Sequence, residues 1–167
     1  MIIYITGGER SGKSSFALKM AKELSANPVY IATARRWDDD FEKRIERHKA
    51  ERDETWQTIE EEKKIGELEV AGNTAVIDCV TLWLTNLFTD SNGNVESSLD
   101  YAKAQIELLA LKEATFIIIS NELGMGVHAA TNEGRKFVEL QGWVNQYIAS
   151  KAEKAWLMVS GIPVRIK

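Results

Sequence analysis

The octapeptide Gly7-Gly8-Glu9-Arg10-Ser11-Gly12-Lys13-Ser14 fits G-x-x-x-x-G-K-[ST] and lies between an apolar run and an amphipathic one. That order leaves the chain few ways to fold. Ile2, Ile3, Tyr4, Ile5 and Thr6 read as a strand buried on both faces, as in a parallel sheet. Residues 14–24 carry Phe16, Met20 and Leu24 at helical spacing. A glycine-rich turn from strand to helix can aim successive N–H groups at a phosphate, with Gly7 and Gly12 supplying the backbone freedom. The helix adds the positive end of its dipole. Lys13 then reaches the terminal phosphates, and the Ser14 hydroxyl suits Mg²⁺. The bland alternative is a strand–helix turn that binds nothing; both flanks favour the phosphate loop.

The rest of the chain repeats the alternation. Further strands are expected at residues 29–33, 74–78, 115–120 and 155–159, with a short one at 55–59. Residues 163–166 suit a last edge strand, because Pro163 is tolerated at an edge and not in a central ladder. Helical patterns cover 38–53, a polar stretch at 60–70, and 82–88, and two more are marked by Leu99, Ala102, Ile106 and Leu109 and by Phe137, Leu140, Val144, Tyr147 and Ile148. Ser91-Asn92-Gly93-Asn94 is a loop. Strands alternating with helices predict an α/β fold with a largely parallel sheet. At 167 residues, with no repeat or linker, residues 1–167 read as one domain.

Twenty-one basic against 25 acidic residues give a net charge of −4, which argues against non-specific nucleic-acid binding. One cysteine, Cys79, rules out an internal disulfide and a multi-cysteine zinc site. No apolar run approaches the ~20 residues that span a bilayer, and Met1 leads straight into the first strand without a basic region. The expectation is a cytoplasmic protein without stable membrane insertion.

Asp78 closes the third strong strand. A carboxylate at the carboxyl end of a parallel strand faces the region where ligands collect in open sheets, so it could hold Mg²⁺, directly or through water. The alternative is an N-cap for the following helix. Residues 35–52 hold seven basic and six acidic side chains, a nearly neutral and mostly solvated face. Phe41, Ile45, His48 and Arg52 nevertheless share one helical stripe. From spacing alone, His48 reads as a partly buried structural histidine; the other reading is an imidazole beside bound phosphates, where it is a competent phosphorus nucleophile. Trp37 is the tryptophan best placed to touch a ligand. The place of Asn121-Glu122-Leu123-Gly124-Met125-Gly126 at a strand's carboxyl end favours the active-site rim, although loop turning alone would explain its glycines; His128 is given no role.

With these residues in view, the whole chain resembles the bifunctional adenosylcobinamide kinase/adenosylcobinamide-phosphate guanylyltransferase family of cobalamin assembly. The resemblance runs through Thr6 to Ser14, Tyr30-Ile31-Ala32-Thr33, Arg44-Ile45-Glu46-Arg47-His48, Trp56-Gln57-Thr58-Ile59-Glu60 and Val80-Thr81-Leu82-Trp83-Leu84-Thr85-Asn86-Leu87. It continues through Asn121 to Gly126, Val144-Asn145-Gln146 and Val159-Ser160-Gly161-Ile162-Pro163. The phosphate loop is common to many families; the ordered set is far more specific. Two positions depart from the family's usual pattern: His128 stands where a proline is usual, and Trp143 where a basic residue is common.

The resemblance implies a P-loop NTPase fold, RecA-like, with an antiparallel C-terminal edge strand and assembly as a homotrimer. It implies phosphorylation of adenosylcobinamide by ATP or GTP, then transfer of GMP from GTP to adenosylcobinamide phosphate through a guanylyl-histidine, with Mg²⁺ as cofactor. It makes His48 and Lys13 catalytic. Nucleotide contacts would fall on Gly7, Gly8, Glu9, Arg10, Ser11, Gly12, Lys13, Ser14, Ala32, Thr33, Ala34, Lys49, Ala50, Glu51, Arg52, Glu60 and Asp78. Ser14 and Asp78 would hold the metal. A small-molecule kinase of another pathway, lacking guanylyl transfer, is the alternative; a nucleotide-gated regulatory module is a third reading.

Overall fold

The computed structural model describes residues 1–35, 52–70 and 73–167. In chain order the described elements are β1 Ile2–Gly7, α1 Lys13–Leu24, β2 Val29–Ala32, β3 Gln57–Glu60 and β4 Thr74–Asp78. They continue with α2 Val80–Asp90, α3 Val95–Ala110, β5 Thr115–Asn121, α4 Asn132–Lys151, β6 Lys154–Val159 and β7 Ile162–Arg165. The strands form one sheet in the order β3-β2-β4-β5-β1-β6-β7. Every pairing is parallel except β6 with β7, which is antiparallel. The edge strand expected around Pro163 is therefore present.

Alternation along the strands sends neighbouring side chains to opposite faces. Tyr4, Ile31, Ile77, Phe116 and Ile118 join a core with Trp83 and Leu84 of α2, Ile106 and Leu109 of α3, and Leu140, Val144 and Ile148 of α4. Ile3, Ile5, Val76, Ile117 and Ile119 pack instead with Ala17, Leu18 and Ala21 of α1. Both faces of the central strands are thus buried, which is why β1, β4 and β5 read as continuous apolar runs. Short polar side chains set the helix starts. Asn94 Oδ1 accepts from Ser97 N at 2.9 Å at the head of α3, and Thr131 Oγ1 from Gly134 N at 3.0 Å at the head of α4.

Two expectations need correction. Residues 60–70 do not form a helix: they leave β3, turn, and make only a 3₁₀ turn at Ile65–Glu67. The Glu61 carboxylate accepts from the backbone N–H groups of Lys63 and Lys64, both at 2.8 Å, so the polar run turns instead of coiling. Of the charged helix expected over 38–53, Arg52 and Asp53 are not helical, and residues 38–51 with His48 lie outside the described residues, as does Trp37. In α1 the inward face is Ala17, Leu18 and Ala21; Phe16 and Met20 are half-buried and Leu24 is exposed.

Candidate nucleotide-binding site

The phosphate loop leaves β1 at its carboxyl end and enters α1 at Lys13. Its shape depends on two glycines. Gly7 has φ +152°, and a Cβ there would meet Met158 O at 2.6 Å and Ser11 Oγ at 2.8 Å. Gly12 has φ +92° and lies against Gly161 of the β6–β7 turn. Gly161 N donates to Ser11 O at 3.0 Å, so that turn braces the loop from the side opposite β5. Lys13 is buried, 7% exposed, and its Nζ donates to Gly8 O at 2.6 Å. A buried ammonium on the loop carbonyl of Gly8 stands where a triphosphate would exchange that contact for phosphate oxygens. Ser11 is buried, Gly12 and Ser14 are half-buried, and Gly8, Glu9 and Arg10 face solvent.

Around the loop stand the carboxyl ends of the neighbouring strands. Asp78, at the end of β4, is half-buried, and its Oδ2 accepts from Tyr30 Oη at 3.0 Å. The N-cap of α2 is Cys79, so Asp78 is not the cap of that helix. Burial first, then the Asp78 carboxylate, push the Tyr30 phenol well above its ordinary pKa, so it stays a donor. Arg52 lies over the same ring, 3.6 Å from its centroid. Ala32, Thr33 and Ala34 leave β2 beside Asp78: Thr33 N donates to Asp78 O at 3.2 Å, and Thr33 Oγ1 to Cys79 O at 2.8 Å. Asn86 of α2 ties Thr33 O at 2.8 Å.

Arg35 opens the segment that carries His48. Its Nε donates to Glu62 Oε2 at 2.7 Å, and its other nitrogens fork onto Asp90 at 3.0 and 3.1 Å. Glu60 ends β3, the edge strand, opposite Ala32 in register. Four strand spacings of ~4.8 Å separate β3 from β1, so Glu60 stands about 19 Å to one side of the phosphate loop. Gly7 to Ser14, Ala32 to Ala34, Arg52 and Asp78 thus share one end of the sheet, with Glu60 at its margin. His48, Lys49, Ala50 and Glu51 lie outside the described residues.

The sequence reading left out a buried polar cluster beneath the rim. Gln141 Nε2 donates to Thr81 Oγ1 at 2.7 Å, Asn121 O at 2.9 Å and Ser120 Oγ at 3.1 Å. Ser120 Oγ donates to Asn145 Oδ1 at 2.6 Å, and Asn145 Nδ2 to Asn121 O at 3.2 Å. Glu122 N then donates to Gly7 O at 3.0 Å, linking this network to the phosphate loop. The available signal was an i, i+4 polar pair, Gln141 and Asn145, set inside the apolar stripe of α4.

Among the described residues no three His, Cys, Asp or Glu side chains gather as a metal cage. The pair expected to hold a metal is one hydroxyl, Ser14 at the start of α1, and one carboxylate, Asp78 at the end of β4. That set suits Mg²⁺, which takes one or two protein oxygens and completes its shell with phosphates and water.

Comparison with known proteins follows the same outline. The model of the family described as cobinamide kinase / cobinamide phosphate guanyltransferase matches residues 3–166. The bifunctional adenosylcobalamin biosynthesis protein CobU of Escherichia coli (strain K12) is 37% identical, covering 100% of both chains. CobP of Pseudomonas aeruginosa, of the same description, is 37% identical over 98% of this chain and 95% of its own. CobU of Salmonella typhimurium is 35% identical over 100% of both. Among solved structures, a Pyrococcus horikoshii OT3 protein aligns with TM-score 0.57 at 8% identity, covering 99% of this chain and 85% of that one. An ATPase of a type III secretion system of pathogenic bacteria aligns with TM-score 0.58 at 12% identity, over 93% of this chain and 50% of that one. Those two likenesses concern the fold.

Proposed function

The chain belongs to the cobinamide kinase / cobinamide phosphate guanyltransferase family, and from that premise we propose how its residues carry the two reactions. It is an enzyme of cobalamin biosynthesis, a cobinamide kinase and guanyltransferase. In the kinase reaction the aminopropanol hydroxyl of adenosylcobinamide attacks the γ-phosphorus of ATP or GTP, and the nucleoside diphosphate leaves. Positioning and charge neutralisation supply most of this rate. The observation that carries the reading is the phosphate loop, with the buried Lys13 ammonium turned onto Gly8 O at 2.6 Å.

In the second reaction His48 attacks the α-phosphorus of GTP and pyrophosphate leaves. The phosphate of adenosylcobinamide phosphate then displaces the imidazole, giving adenosylcobinamide-GDP. A P–N bond keeps much of the transfer potential of GTP, so the two displacements run in sequence. Chain connectivity supports His48. Arg52 is held over Tyr30, whose hydroxyl meets Asp78. His48 precedes Arg52 by four positions, and four residues span at most about 14 Å, which supports the reading that His48 serves this end of the sheet. Lys49, Ala50, Glu51 and Arg52, with Ala32 to Ala34 and Glu60, then line the nucleoside side.

Ser14 and Asp78 would hold Mg²⁺, which supplies charge neutralisation across the phosphate oxygens when bound. Asp78 is pre-oriented by Tyr30. Homotrimeric assembly, which rests on the resemblance, and a cytoplasmic location, which rests on the sequence reading, belong to the same proposal. Exposed Val159, Ile162, Val164 and Ile166 on the β6–β7 margin offer a surface for subunit packing.

GTP labelled at the α-phosphate tests the scheme. An acid-labile adduct forms on the wild-type protein and is absent from His48→Ala, which keeps its kinase activity. Label that persists without His48 overturns the assignment. Lys13→Ala lowers both reactions by ~10²-fold or more; unaltered turnover removes the loop from the mechanism. No adduct on the wild type leaves a kinase alone.

A further inference from the structure

The kinase reaction needs an acceptor for the hydroxyl proton, and none of the groups above provides one. We propose that Glu122 is that general base. The inference rests on the kinase half of the reading above.

Place selects it. Counted across the sheet, β3 with Glu60 lies four strand spacings from β1, β4 with Asp78 two, and β5 one, which at ~4.8 Å per spacing is about 19, 10 and 5 Å. Glu122 is the first residue beyond β5. Its backbone N–H donates to Gly7 O at 3.0 Å. One peptide unit further, Gly8 O accepts from Lys13 Nζ at 2.6 Å. The Lys13 ammonium marks the terminal phosphates, and the Glu122 backbone N–H stands two hydrogen bonds and one peptide unit, about 9 Å of path, from that ammonium. The Glu122 side chain, its head group held by Gly124 N, and the incoming acceptor hydroxyl share that gap.

The other carboxylates of the rim have different circumstances. Asp78 Oδ2 already accepts from Tyr30 Oη. Glu9 points from the exposed outer side of the phosphate loop. Glu122 is half-buried, and its Oε1 accepts from Gly124 N at 2.7 Å, so one oxygen fixes the head group and leaves the other to work. The same loop carries Met125, 79% exposed, and Val127, 96% exposed, apolar side chains that a bulky macrocyclic acceptor could cover while its hydroxyl enters beside Glu122.

The step balances. The hydroxyl proton passes to the Glu122 carboxylate as the oxygen forms its bond to the γ-phosphorus. The bond to the β,γ-bridging oxygen breaks, and its electron pair leaves with the nucleoside diphosphate. Glu122 then returns the proton to solvent. Guanylyl transfer to His48 involves no hydroxyl and makes no use of Glu122.

Glu122→Gln keeps the carbonyl that accepts Gly124 N–H and removes the base. Its kinase kcat is expected to fall ~10²–10⁴-fold with KM for GTP within about threefold. The α-labelled adduct on the same variant should form within about threefold of the wild-type rate, and Glu122→Asp should recover at least about tenfold of the lost kinase rate. Kinase turnover in Glu122→Gln within about threefold of wild type overturns the proposal. So does a parallel loss of adduct and kinase, which would make Glu122 a structural brace of the phosphate loop. Failure of the guanylyl reading looks different: the wild type itself takes no label, and the kinase arm still reports on Glu122.

Discussion

The Arg52 guanidinium lies over the ring of Tyr30, 3.6 Å from its centroid. The hydroxyl of that ring donates to Asp78 Oδ2 at 3.0 Å. One ring thus carries a cation on its face and a carboxylate on its hydroxyl. Tyr30→Phe keeps the face and deletes the donor. We expect a loss of about 1–3 kcal/mol, read by urea denaturation, because the hydrogen bond goes to a charged group and Asp78 loses a buried partner. If Asp78 holds the metal, the Mg²⁺ concentration for half-maximal activity also rises.

Gly7 and Gly8 are neighbours with opposite tolerance. An added Cβ at Gly7 meets Met158 O at 2.6 Å and a backbone at φ +152°, whereas one at Gly8 meets nothing within 4 Å. Gly7→Ala should abolish measurable nucleotide binding and cost about 1–3 kcal/mol from strain. Gly8→Ala should bind GTP within about threefold of wild type, since open space carries no steric penalty. Calorimetric titration separates the two.

The polar cluster under the rim makes Asn145 a support of the phosphate loop at one remove. Asn145→Leu leaves Ser120 Oγ and Asn121 O short of a partner in a buried setting. The expected cost is about 1–3 kcal/mol. The kinase rate should fall with it, because Asn121 precedes the residue bonded to Gly7 O. A variant with full stability and full turnover would remove the cluster from any supporting role.

Cys79 predicts an alkaline weakness. Burial, then the Asp78 charge, push its thiol from 9.0 up to about 12. Between those values the unfolded chain releases a proton that the folded chain retains, so stability falls as pH rises through that window. Tyr4, raised by burial to about 12, adds to the slope from pH 10 upward. The drop in urea midpoint from pH 8 to about pH 10.5 should be smaller in Cys79→Ala than in wild type. The native thiol should resist iodoacetamide near neutral pH and react once denaturant is added.

Much of this was legible before any coordinates. The apolar runs of β1, β4 and β5, the glycine spacing and the late proline each carry a local physical requirement, and each element formed where that requirement placed it. The stretch after β3 did not, because its outcome is decided from a distance. Gly66 N donates to Gln105 Oε1 at 2.9 Å, and a Cβ at Gly66 would meet Gln105 O at 2.4 Å. Contact with α3 thus overrides the helical spacing of residues 60–70. Tyr30 as the partner of Asp78 was equally hidden, since 48 positions separate them and only the sheet register brings them together. The same holds for Thr81 with Gln141, 60 positions apart.

The brace between Gly161 and the phosphate loop has a consequence for synthesis. The motif that begins at Gly7 leans on Met158 and on the N–H of Gly161, which donates to Ser11 O. On the ribosome, the first-made part of the nucleotide site must wait for Met158 and Gly161, translated about 150 positions later. A nascent chain halted before β6 would carry the whole signature and hold it in no defined shape, so GTP binding should arrive late and abruptly as the hairpin clears the exit tunnel.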